Sequence, residues 1–423
     1  MNSNKAVTAN WQTQYYLTVT SAHGSPTPTS GWYAGGSSTT TSTQATADQA
    51  GGTRYRCTGY SGTGSAPASG TSNSATFVLN SPSSITWNWI TQYQLTLNTV
   101  PVDVGSSQIS ALPISSDGFY DIDTNVALTA ATTVPIDPAS RYRFDQWSGP
   151  VTGSSNPTTV TMTAPLPVTA NYLTEYYLTL QTTPLGVDTP NGAGWYETGQ
   201  TVTISAISSI DIIPGQSHYQ FNSWSGAVIT DPLASSTTLT IGSTGQTVTA
   251  NYIEQFWIQV NSAQDTPTTS QWVNQGGGLT VSVTSPTGIV TNDHQYICIG
   301  YTIDTETPVA DGSSSHAFSN VQASHAITFD WKEQFWVTFA QTGLDNSVTD
   351  TIVTIDSAPK SYGDLPFNAW VDDSKSVQIS ASVILGHIFS SWSTSGMITV
   401  ADPSSSSTTL SISGPGTVTA NFL

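Results

Sequence analysis

Charge is what this sequence lacks most. Only 8% of its 423 residues are Asp, Glu, Lys or Arg, about a third of the usual share. Eight Lys and Arg stand against 27 Asp and Glu, for a net charge of −19. A chain so poor in cations repels phosphate backbones and anionic lipid, which excludes nucleic acid as a partner. Cysteine is equally scarce. Cys57 and Cys298 lie far apart with no ligand cluster near either, so no disulfide framework, zinc spacing or CxxC redox motif is present. No apolar run approaches the roughly 20 residues of a membrane span, which excludes direct membrane insertion. Met1–Val7 lack the apolar core of an export signal, so a signal and an anchor are expected outside this chain. No Asn-x-Ser/Thr sequon occurs, and no segment sustains a helical period of apolar residues.

Ser, Thr and Gly dominate what remains, together with 13 Trp and 17 Tyr. Disordered chains are poor in aromatic and β-branched residues, so this composition describes a folded, β-rich chain. Tyr176, Leu178 and Leu180 alternate with Tyr177, Thr179 and Gln181, the period of a strand with one buried face.

Three motifs recur along the chain. A closing motif appears as Val7–Trp11, Ile85–Trp89, Val168–Tyr172, Val248–Tyr252, Ile327–Trp331 and Val418–Phe422. A central motif reads YRCTGYSG from Tyr55, YRFDQWSG from Tyr142, YQFNSWSG from Tyr219, YICIGYTI from Tyr296 and HIFSSWST from His387. An earlier motif starts at Gly31, Gly118, Gly194, Gln271 and Ala369. Aromatic opening strands start at Tyr15, Tyr93, Tyr176, Phe256 and Phe335. The spacing predicts an all-β chain of five tandem sandwich-like bodies forming an elongated rod: residues 14–89, 90–172, 173–252, 253–331 and 332–423. Each is expected to be a small antiparallel sandwich or barrel of about six strands. Residues 1–13 are left over, as the closing strand of a preceding repeat or as a donor strand carrying Val7, Ala9 and Trp11.

The combination of an aromatic first strand, F-x-x-W-S-G and V-T-A-N-aromatic resembles the divergent InlB B-repeat family of surface proteins. The resemblance is fullest from Tyr142 to Tyr172 and in the body after it, while Tyr60 and Tyr301 depart from the central Trp and body 5 carries an insertion around Asp345–Pro366. It implies an extracellular, cell-surface spacer with no catalytic residues, of Ig-like or β-grasp-like form.

Superposed, the motifs assign Cys57, Phe144, Trp147, Phe221, Trp224, Cys298, Phe389 and Trp392 to the repeat core. Trp32, Trp195, Trp272 and Trp370 also recur once per body, which favours core over ligand site. The outward aromatics Tyr16, Tyr177, Trp257 and Trp336 are candidates for packing across the joints between bodies. Only Leu173–Glu175 separate the closing strand of body 2 from the opening strand of body 3. Such short linkers predict a restricted angle.

Metal and catalytic motifs are absent: no HExxH, DxDxDG, GxSxG or Walker sequence occurs. The acidic pairs Asp121/Asp123, Asp304/Glu306 and Asp372/Asp373 read as solvated loops. No enzyme activity, metal or cofactor is expected. The candidate partners are other copies of the chain, in a fibre or surface array, and glycans or a neighbouring cell surface.

Overall fold

A computed structural model describes residues 3–423, and its strands run through the expected boundaries instead of stopping at them. Ser83–Val100, Leu166–Thr183, Gln246–Ser262 and His325–Thr342 are single strands of 17 or 18 residues. Each supplies the closing strand of one body and the opening strand of the next. The supposed linker Leu173–Glu175 is itself paired strand, opposite Arg141–Arg143.

Four strands recur around each body. In body 3 the opening segment pairs antiparallel with Gly194–Glu197 and parallel with the closing strand, Leu178–Thr183 against Gln246–Asn251. The closing strand pairs antiparallel with the central strand Ser217–Ser225. Bodies 1, 2, 4 and 5 repeat this order. The bodies are therefore not purely antiparallel: a parallel pair occupies the middle of each sheet. That arrangement is shared with a β-grasp sheet, but the second layer here is antiparallel strand, two strands in bodies 1, 3 and 4 and more in bodies 2 and 5, and no α-helix is present among the described residues.

The core of each body fills the space between the two layers, because alternate residues of the closing and opening strands face inward. Trp147, Trp224 and Trp392 are almost fully buried. Their indole N–H groups donate to the carbonyls of Ser155, Ala234 and Ser405, so no polar atom of these rings is stranded. Cys57, Cys298 and Phe221 are buried, while Phe144 and Phe389 are partly buried on the same strand position. Both cysteines are free thiols.

A β-bulge follows this position in all five bodies, between Cys57/Gly59, Phe144/Gln146, Phe221/Ser223, Cys298/Gly300 and Phe389/Ser391. In bodies 2, 3 and 5 the closing-motif asparagine bridges the bulge. Asn171, Asn251 and Asn421 donate to the carbonyls of Gln146, Ser223 and Ser391. The motif residues N and S-x-S or Q-x-S are thus partners across two strands.

Volumes are matched strand to strand. Central Trp147, Trp224 and Trp392 stand opposite Ala170, Ala250 and Ala420, whereas Tyr60 and Tyr301 stand opposite Trp87 and Phe329. Likewise Cys57 and Cys298 face Trp89 and Trp331, where Phe144, Phe221 and Phe389 face Tyr172, Tyr252 and Phe422. Bodies 1 and 4 therefore share one packing solution, and bodies 2, 3 and 5 another. The replacement Cys57→Phe should overpack body 1 and destabilise it by about 1–3 kcal/mol. The double change Cys57→Phe/Trp89→Tyr should recover most of the loss, measured as the denaturant midpoint of body 1 followed by a local probe.

Candidate functional site: the joints between bodies

Most of this chain's scarce cations, five of eight, stand at the joints. Its only arginines are Arg54, Arg56, Arg141 and Arg143, and all four sit on central strands beside a joint and reach into the following body.

At the first joint the Arg56 guanidinium grips Asp121 with two donors, at 3.1 and 2.6 Å. Gln92, on the through-strand, donates to the same carboxylate at 2.8 Å. Arg54 lies 4.0 Å above the ring of Phe119, donates to Gln92, and pairs with Asp117 at 2.6 Å. The second joint repeats the pattern. Arg143 donates to Glu175 and Glu197, and Arg141 donates to Glu175 while lying 4.4 Å over the Trp195 ring. The Glu175 side chain is only 8% exposed, so two guanidiniums satisfy a buried carboxylate.

The fourth joint takes its cation from the through-strand instead: Lys332 donates to Asp372 at 2.9 Å and Gln334 donates to it at 2.7 Å. The third joint carries no such pair among the described residues. His218 stands where Arg54 and Arg141 stand, buried, with its ring edge-on to Trp272 at 4.1 Å. Asn274 replaces the carboxylate and accepts from Gln255 at 2.7 Å. Three joints hold a Lys or Arg paired with a carboxylate, whereas at the third Asp304 meets His325 at 2.8 Å beside the Gln216 tip.

A backbone contact recurs at all four. The tip of the hairpin before each central strand crosses the joint, and its carbonyl accepts from the next opening strand: Gln94 N–H to Gly52, Tyr177 to Ala139, Trp257 to Gln216 and Trp336 to Asp293, at 2.8–2.9 Å. Each strand residue named here except Gln94 is one of the sequence-predicted joint aromatics. Their rings make edge-to-face pairs with the earlier motif, Tyr177 with Trp195, Trp257 with Trp272 and Trp336 with Trp370, at centroid distances of 5.0–5.2 Å.

Several readings need correction. Trp195, Trp272 and Trp370 are half-buried joint residues and not core, because the strand alternation turns them away from the sheet interior. Trp32 is 65% exposed, and Tyr16 pairs with it at 5.4 Å at the end of the array, with no body packed against either. Asp121 and Asp372, taken as solvated loop carboxylates, are joint residues. Val7 and Trp11 are each 94% exposed, and residues 3–13 form no strand. In body 5 the closing position is held by the chain's own Val418–Phe422.

The arginine pairs were missed from sequence, although the signal was there: R-x-R precedes the core Cys57 and Phe144, and an acid follows the earlier motif at Asp121 and Glu197. Among the described residues no three His, Cys, Asp or Glu side chains converge to hold a metal. No helix is long and apolar enough to cross a membrane.

Fold and joints together define a tandem β-repeat array whose neighbours share strands. Residues 103–175, 176–255 and 342–423 match the divergent InlB B-repeat domain, together more than half of the sequence. The chain belongs to that family. No curated protein matches it. The matched segments correspond to bodies 2, 3 and 5, the three that use the Trp-opposite-Ala packing.

The Asp121 carboxyl is held below the ordinary carboxylate range, chiefly by the Arg56 hydrogen bond and against burial, with Gln92 adding to it. A lowered folded-state value means that its contribution is complete above about pH 4 and is lost as the pH falls through that lowered value. Asp121→Asn should loosen the first joint by on the order of 1 kcal/mol at neutral pH, and remove its acid sensitivity. A spin-label distance distribution between bodies 1 and 2 measures this. The third joint, which has no Lys or Arg pair among the described residues, should broaden less than the first when salt is raised.

Proposed function

We propose that this chain is a non-catalytic spacer, a stiff stalk segment of an extracellular cell-surface protein that holds another part of the molecule at a fixed reach. One observation carries the reading: every joint is crossed by an unbroken strand. Flexible spacing needs Gly- or Ser-rich coil between domains. Here the backbone on both sides belongs to one ladder, and a hairpin tip and side-chain pairs brace it.

Family membership supports a structural repeat role. The low charge and the net acidity suit a surface that avoids unspecific contact with anionic polymers.

Two other readings have less behind them. A filament joined by strand exchange would use Val7, Ala9 and Trp11 as donor, and these are exposed, but body 5 already holds its own closing strand. A glycan platform needs open ring faces. The central tryptophans are buried, and the motif tryptophans Trp195, Trp272 and Trp370 stand edge-to-face within joints.

Small-angle scattering with mass determination tests the spacer reading. A rod-like monomer is expected. Inserting Gly-Gly-Ser-Gly-Gly-Ser between Leu173 and Thr174 should leave the bodies folded and turn the profile into that of two segments joined by a flexible hinge. A compact particle from the unmodified chain would overturn the proposal.

A further inference from the structure

Body 5 contains a feature that the spacer reading does not use. Its insertion forms a hairpin, Val353–Ile355 with Ala358–Lys360, that stands against the second layer through Val353–Ala381 pairing. The added strand Ala358–Lys360 has no counterpart in bodies 1–4 among the described residues.

Between this hairpin and the strand Phe367–Asp372 lies a cleft of about 250 Å³. Its inner wall is apolar: Phe339, Ile355, Phe367, Val371 and Val377. In bodies 1, 2 and 3 the residue matching Val371 is a tyrosine, and in body 4 it is Val273. Tyr33 and Tyr196 lay their rings over Gly31 and Gly194 and donate their hydroxyls to the carbonyls of Thr29 and Gly192. Val371 has no ring to place there, and Ala369 occupies the glycine position.

Two further observations point to an occupant. The strand Phe367–Asp372 pairs on one side only, with His325–Thr342, so its other edge presents free N–H and C=O groups among the described residues. Of the seven Lys and Arg within the bodies, Lys360 alone makes no ion pair among the described residues. Its ammonium sits 3.5 Å over the ring of Phe367 at the cleft. The neighbouring charges are already engaged: Lys375 pairs with Asp356, Lys332 pairs with Asp372, and Asp364, which lies near enough to feel the Lys360 charge, accepts from Ser361.

We propose that body 5 binds an extended peptide segment by strand addition to Phe367–Asp372, with one large apolar side chain seated in the cleft and an adjacent carboxylate on Lys360. Main-chain pairing supplies the affinity in this mode, and the side-chain cleft supplies the selectivity. The apolar inner wall suits a phenyl, indole or isobutyl group, and the charged lining side chains Asp356, Asp372 and Lys375 are held in ion pairs.

The test uses the full chain and fluorescein-labelled, end-blocked octapeptides of alternating threonine and valine. Their central residue is Phe, Trp, Leu, Thr or Lys, followed by Asp or Lys, and binding is read by anisotropy. Peptides with a central Phe, Trp or Leu followed by Asp should bind saturably, at least about tenfold tighter than those with Thr or Lys. Val371→Tyr, which adds a ring on the cleft wall, should abolish that preference. If this variant loses its near-ultraviolet dichroism, Ile355→Trp fills the cleft from the opposite wall. Lys360→Glu, at the surface, should shift the preference to peptides with Lys after the anchor. Absence of saturable binding, binding unchanged by both filling variants, or equal affinity for N-acetylphenylalanine amide would each overturn the proposal.

Discussion

Everything in this chain depends on one constraint: a strand that closes one body must also open the next. A β-strand has a period of two, so the residue that faces the core at the end of body 2 fixes which residues face the core at the start of body 3. Tyr172 and Tyr176 point inward on the same through-strand, and Tyr177 therefore points outward into the joint. The hairpin tip at Ala139 and the guanidiniums of Arg141 and Arg143 meet the next body at a register they cannot change independently. Rotation at a joint would break backbone pairing as well as side-chain contacts.

The same constraint explains where the rare charges are found. A through-strand leaves a short stretch at each joint where two bodies pack and neither core extends. Apolar residues there would bury little, whereas a bidentate pair across the gap selects one geometry. Joints 1 and 2 use arginine, joint 4 uses Lys332, and joint 3 uses amides and an imidazole. The array thus varies the chemistry of its joints while keeping the backbone device constant.

The recurrence of the motifs and the buried central tryptophans were legible in the sequence because both follow from strand periodicity within a single body. Continuity of the strands was not, since Leu173–Glu175 contain no residue that favours or forbids pairing and read equally well as a linker. The placement of Trp195, Trp272 and Trp370 was read wrongly for a related reason. Regular recurrence marks any position with a repeated environment, and in a tandem array the joint recurs as faithfully as the core. The meaning of Cys57 and Cys298 needed the pairing register, which showed Trp89 and Trp331 opposite them.

The parallel pair in the middle of each body bears on how the chain responds to tension. In body 3 the opening segment Leu178–Thr183 and the closing segment Gln246–Asn251 run side by side in the same direction over six residue pairs. A pull that draws the two ends of the chain apart drags these neighbours past one another. Their hydrogen bonds then lie across the line of force and share the load together, instead of peeling open one after another. Each body is built as a lap joint, and the through-strands connect the five lap joints in series.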